Sequence, residues 1–115
     1  NPTIEQIAAE NPTWLPRDVE LKVQALRQCG PEVTDRTMND ASPWDVWPAI
    51  LSVAVPTLLL AADPAEGALV SASKGSEAEA RSDMIEFVLL EGAGHSMHRD
   101  AYDRFLALVR GFLEC

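Results

Sequence analysis

Apolar positions recur along this chain in two rhythms, and the change falls near residue 55. Before it, they are spaced as on helices. Ile4, Ile7 and Ala8 predict a short helix over residues 1–10, with Pro2 near its start and Asn11-Pro12-Thr13 ending it. Val19, Val23 and Leu26, with Leu15 just ahead, predict a second helix that has Pro16 in its first turn. Gly30-Pro31 stops that helix after Cys29. Residues 32–39 read as a further short helix anchored by Val33 and Met38. Ser42 is placed to cap a turn starting at Pro43, and Trp44, Trp47, Ile50 and Leu51 share one helical face.

After residue 55 the apolar residues come in strand-sized runs. Pro56 opens the first, where its missing N–H does no harm, and Leu58 to Ala62 is apolar throughout, as a strand covered on both faces should be. Residues 85–90 form the second. Between them, residues 71–81 predict a helix capped by Ser73 or Ser76, with Gly75 weakening its first turn. Residues 98–113 predict the closing helix. Tyr102, Phe105, Leu106, Val109, Phe112 and Leu113 mark its buried face, and Asp100, Asp103, Arg104 and Arg110 fall mostly opposite. Strand, helix and strand make a βαβ unit with parallel strands ending on one edge, so the fold class is α/β. The organisation expected is a helical segment over residues 1–54 and a β-α-β-α unit over residues 55–115.

Composition narrows the function classes. The chain has 115 residues, at most one domain's worth, of which 47% are hydrophobic. A net charge of −9 argues against nucleic acid or an anionic membrane surface as partner. No apolar run approaches the roughly 20 residues of a membrane span, and no leader is recognisable. Cys29 and Cys115 lie far apart, which fits free thiols in a reduced, cytoplasmic chain. No nucleotide fingerprint appears, so no cofactor is implied. His95 and His98 stand three apart with no Glu or Cys in ligand spacing, which makes no metal site. The sequence starts at Asn1, and its first strand comes only near residue 56. Two parallel strands make a poor sheet alone, so the expectation is a C-terminal piece of a larger protein, sticky along the edge of its first strand.

The candidate chemistry lies just past the two strands. His95 follows Glu91-Gly92-Ala93-Gly94, a turn able to bend sharply and bring the imidazole to the rim of the sheet, where a general base belongs. Asp63 directly follows the first strand and is placed to accept the ring N–H of His95, fixing its tautomer. Alone, each has a plainer reading: a surface or capping histidine, and an Asp-Pro turn initiator. At corresponding strand ends they say more together. Glu66, three residues on, is a rival acid. His98, in the first turn of the closing helix, is the weaker base.

These residues resemble a known family. Val55-Pro56-Thr57-Leu58-Leu59-Leu60-Ala61-Ala62-Asp63-Pro64, with Gly67-Ala68-Leu69-Val70 after it, resembles the penultimate strand and acid loop of α/β-hydrolases. Phe87-Val88-Leu89-Leu90-Glu91-Gly92-Ala93-Gly94-His95-Ser96 is similar to that family's last strand and histidine turn. Residues 102–113 are similar to its closing helix, and the lead through Trp44-Asp45-Val46-Trp47-Pro48-Ala49-Ile50 to its lid helices and connector. The resemblance implies the C-terminal part of a hydrolase sheet preceded by helical lid segments, with His95 as general base and Asp63 as its orienting acid. It also implies an ester-like small-molecule substrate and an N-terminal half of the same fold as partner. The family's commoner acid loop has Gly, two residues, then Asp; here Asp63 directly follows Ala62, which leaves Asp63 and Glu66 both open as the acid.

The family's nucleophile motif, G-x-S-x-G, does not occur in residues 1–115. Ser71-Ala72-Ser73-Lys74-Gly75 follows the acid and has no strand before it, so it is rejected. The loop that would carry the oxyanion donors is missing as well, so these residues alone are not expected to hydrolyse an ester. Trp14, Trp44 and Trp47 suit an apolar pocket or plain core packing. The competing expectation is a non-catalytic α/β binding or interaction module.

Overall fold

The computed structural model describes residues 1–39, 45–68 and 70–114. The turn expected at Ser42-Pro43, Trp44 and Cys115 lie outside the described residues, as does the side chain of Met38. The chain divides into two compact units, Asn1–Trp44 and Asp45–Cys115.

The first unit is helical. The hydroxyl of Thr3 accepts the Gln6 N–H at 3.1 Å and starts α1 (Ile4–Glu10). Asn11 ends it, its side-chain amide donating to the Ile7 carbonyl at 2.9 Å. Proline opens both α2 (Pro16–Gln28) and α3 (Pro31–Asn39), where a missing N–H breaks no helical bond. Ile7, Val19 and Val23 are buried together, with Ala8 and Trp14 packed against them. Leu15, Leu26 and Val33, which the spacing aligns with apolar faces, are exposed.

The second unit is mixed α/β. It runs α4 (Trp47–Leu51), β1 (Thr57–Ala62), a 3-10 turn (Pro64–Glu66), α5 (Ala72–Arg81), β2 (Ile85–Leu90), α6 (Met97–Asp100) and α7 (Tyr102–Leu113). The two strands pair in parallel, in register from Thr57 opposite Ile85 to Ala62 opposite Leu90. Helix α4, grouped with the leading helices by its spacing, belongs to this unit because it packs on α5. The ammonium of Lys74 stands 4.8 Å from the centre of the Trp47 ring, a cation–π contact between those helices.

Four local expectations are corrected. Ser71, not Ser73 or Ser76, caps α5, its hydroxyl accepting the Lys74 N–H at 3.2 Å. The helix starts at Ala72, so the residue just before it is the one whose side chain reaches an unpaired N–H. The closing helix is two helices, broken at Ala101, whose φ of −136° and ψ of 55° are not helical. Nor is any residue of α7 buried: Phe105, Leu106, Val109 and Phe112 are half covered, while Tyr102 and Leu113 are 51% and 72% exposed. A two-stranded sheet offers too little surface to cover a 12-residue amphipathic helix. For the same reason Leu58, Leu59 and Leu60 are half-buried rather than covered on both faces. Among the described residues no helix is long and apolar enough to cross a membrane.

Gly75 is not the weak point it looks like. It is buried on the face of α5 that meets β2, and a Cβ there would run into the Phe87 ring. Gly75→Ala therefore should lower stability by about 1–3 kcal/mol despite alanine's better helix propensity. Gly111 in α7 has open space where a Cβ would stand, and Gly111→Ala should raise stability by about 1 kcal/mol. Urea unfolding of both variants checks the opposite signs.

Candidate functional site

The parallel register brings Asp63 and the turn carrying His95 to the same edge of the sheet. Strand β1 ends at Ala62 and β2 at Leu90, opposite each other, and the chain leaves both at that edge. From β2 it turns back through Leu90-Glu91-Gly92-Ala93, closed by the Ala93 N–H donating to the Leu90 carbonyl at 3.2 Å. Gly92 takes φ +77° in the third position of that turn, a conformation that favours glycine.

Asp63 fastens this turn to β1. Its N–H donates to the Ala93 carbonyl at 2.8 Å, and its Oδ2 accepts the Gly92 N–H at 2.7 Å. Its Oδ1 accepts the Ala65 N–H at 2.9 Å and caps the 3-10 turn. The N–H groups of Gly92 and then Ala65, donating to the charged form, hold the Asp63 carboxyl below the usual carboxylate range. Among the described residues neither oxygen meets the His95 ring. A carboxylate has about four acceptor positions, so two remain for an imidazole N–H.

His95 is exposed at the rim of a pocket of about 120 Å³, lined by Leu60, Ala62, Ala68, Val70 and Met97 around it. This wall is apolar. Glu66, the rival acid, is exposed in the 3-10 turn, and its side chain has no hydrogen bond to His95 among the described residues. His98 lies in α6 with its ring edge-on to Phe105, centroids 6.2 Å apart, so it packs on α7. Trp14 packs on the core of the helical unit, and Trp47 stands against Lys74. Among the described residues, no group of three or more His, Cys, Asp or Glu is arranged to hold a metal ion.

Two further side chains reach the turn, and the periodicity alone did not single them out. Asp100 accepts the Gly94 N–H on its Oδ2 at 2.8 Å, and Arg104 donates from Nη1 to the Glu91 carbonyl at 2.9 Å. In the sequence pattern both fall mostly on the polar side of one continuous helix. The signal available was the short interval from Gly94 to Asp100, within reach of a carboxylate folding back on a glycine turn.

In comparisons with protein-family models, curated proteins and solved structures, none matched this chain.

The carboxylate form of Asp63 stabilises the fold because its folded-state affinity for a proton is lowered. That contribution is complete above the ordinary carboxylate range and is lost as pH falls through the depressed folded value. Asp63→Asn should therefore melt below the wild type at pH 7, and the gap should close as pH drops below about 4. Melting temperatures of the two proteins between pH 2 and 7, the range assayed, test this.

Proposed function

We propose that Asp63 and His95 are the acid and base of a Ser-His-Asp triad in an α/β-hydrolase, with the nucleophile outside residues 1–115. The observation that carries the reading is the direct tie between Asp63 and the turn of His95, across the ends of two adjacent parallel strands. In an open α/β sheet, ligands bind at the carboxyl ends of the strands, where these residues stand.

In this reading His95 takes the proton of a serine hydroxyl as it attacks the carbonyl of an ester-like substrate. It then returns that proton to the leaving group and activates the water that releases the acyl group. Asp63 accepts the other ring N–H and stabilises the imidazolium. The apolar pocket beside His95 suits a substrate with an apolar part.

The two sheet edges support a continuation of the sheet on the β1 side. On β2, the outward N–H of Phe87 is taken by Glu79 Oε1 at 3.1 Å, which closes that edge to a further strand. On β1, Thr57 and Asp63 both donate toward the β2 side, so alternation turns the N–H groups of Leu58, Leu60 and Ala62 the other way. The N-terminal half of the same fold is the partner this edge suits. One observation favours a non-catalytic module instead: both Asp63 oxygens already serve main-chain N–H groups, as in a purely structural clasp.

The experiment reads the coding sequence ahead of Asn1 for G-x-S-x-G and assays the longer protein on short acyl esters. His95→Ala should lower kcat by about 10⁴-fold, and Asp63→Ala by a smaller but large factor. An elbow with no loss of activity in His95→Ala, or no elbow and no ester cleavage, would leave the binding module as the better reading.

A further inference from the structure

We infer that Asp100, seconded by Arg104, is a positioning residue for His95; the inference rests on the reading of His95 as base. Every residue of the turn from Glu91 to Gly94 has a backbone polar atom held by a side chain or main-chain group from another element. Arg104 of α7 holds the Glu91 carbonyl, Asp63 holds the Gly92 N–H and the Ala93 carbonyl, and Asp100 of α6 holds the Gly94 N–H. His95 comes next, and its side chain points into none of these bonds.

Asp100 has the decisive position. The N–H groups of Arg99 and Asp100 donate to the Ser96 carbonyl at 2.8 and 2.9 Å, so α6 is wound tightly onto the residue after His95. With Oδ2 on the Gly94 N–H, the segment from Gly94 to Asp100 becomes a closed loop, and His95 is carried on it. A carboxylate accepting a main-chain N–H makes a stronger bond than a neutral acceptor does. The effect is to set the backbone on both sides of an exposed imidazole without touching the imidazole itself. A base held in this way need not be ordered again when substrate arrives, which is where positioning contributes to rate.

The test compares Asp100→Ala, Asp100→Asn and Arg104→Ala in the full-length protein by amide hydrogen exchange and by the NMR shifts of the His95 ring. In Asp100→Ala the Gly94 amide should exchange about tenfold faster, the scale of one lost charge-assisted bond, and the His95 ring resonances should move. Amides of Leu59 and Val88, which face each other's strand in the ladder, should keep their protection. Asp100→Asn, which retains an acceptor oxygen, should restore most of the wild-type pattern, and Arg104→Ala should loosen Ala93 and Gly94 without Asp100 being altered. Unchanged Gly94 exchange and an unmoved His95 ring would overturn the inference, and so would a loss of protection spread equally over strands and turn. In the longer protein, Asp100→Ala should lower kcat with KM unchanged; a rise in KM alone would count against positioning. Exchange does not depend on catalysis, so failure of the hydrolase reading and failure of the clamp are told apart.

Discussion

The bonds between Asp63 and the Gly92-Ala93 peptide are the constraint on which the site depends. Ladder pairing ends at Ala62 and Leu90, and beyond it nothing in a parallel sheet keeps two departing chains together. The Asp63 N–H and carboxylate extend the pairing past the last ladder residues and onto a turn that needs glycine at its corner. Because the Asp63 carboxylate is ionised, the bond it accepts from the Gly92 N–H is short and directional. Asp63 thus fixes where the His95 segment begins, and the α6–α7 side chains fix where it goes.

Much of this architecture is legible in the residue pattern, for physical reasons that differ by element. The second strand, Ile85–Leu90, lies between the turn residues Ser82-Asp83 and Glu91-Gly92, and its extent is read directly. Proline at positions 16 and 56 and the Gly30-Pro31 stop mark boundaries because they restrict the backbone wherever they stand. The closing helix is harder. Its apolar period runs through Ala101 without a gap, so the break there leaves no trace in spacing. Burial along β1 and α7 is also lower than their apolar runs imply, since periodicity tells which face is apolar and says nothing of whether anything covers it.

Asp63 and His95 were visible as a pair because strand ends are predictable and parallel strands share an edge. Asp100 and Arg104 were not, because a side chain that serves a turn looks, in sequence, like any other polar position on a helix. Gly75 shows the same limit from the other side. A glycine inside a helix lowers the local propensity, yet here it is what lets α5 lie close over Phe87.

The two roles open to Asp63 are compatible, and their geometry explains why. A carboxylate that only orients an imidazole must itself be held, or the imidazole gains nothing from it. Two main-chain N–H groups do that holding here, and they leave lone pairs on both oxygens. They also hold the carboxyl below the usual carboxylate range, which favours the ionised state needed to stabilise an imidazolium. A structural clasp and a triad acid therefore ask for the same local arrangement at this position. What separates them is whether the exposed imidazole nearby meets a nucleophile, and the open edge of β1 is the side on which a continued sheet would bring one.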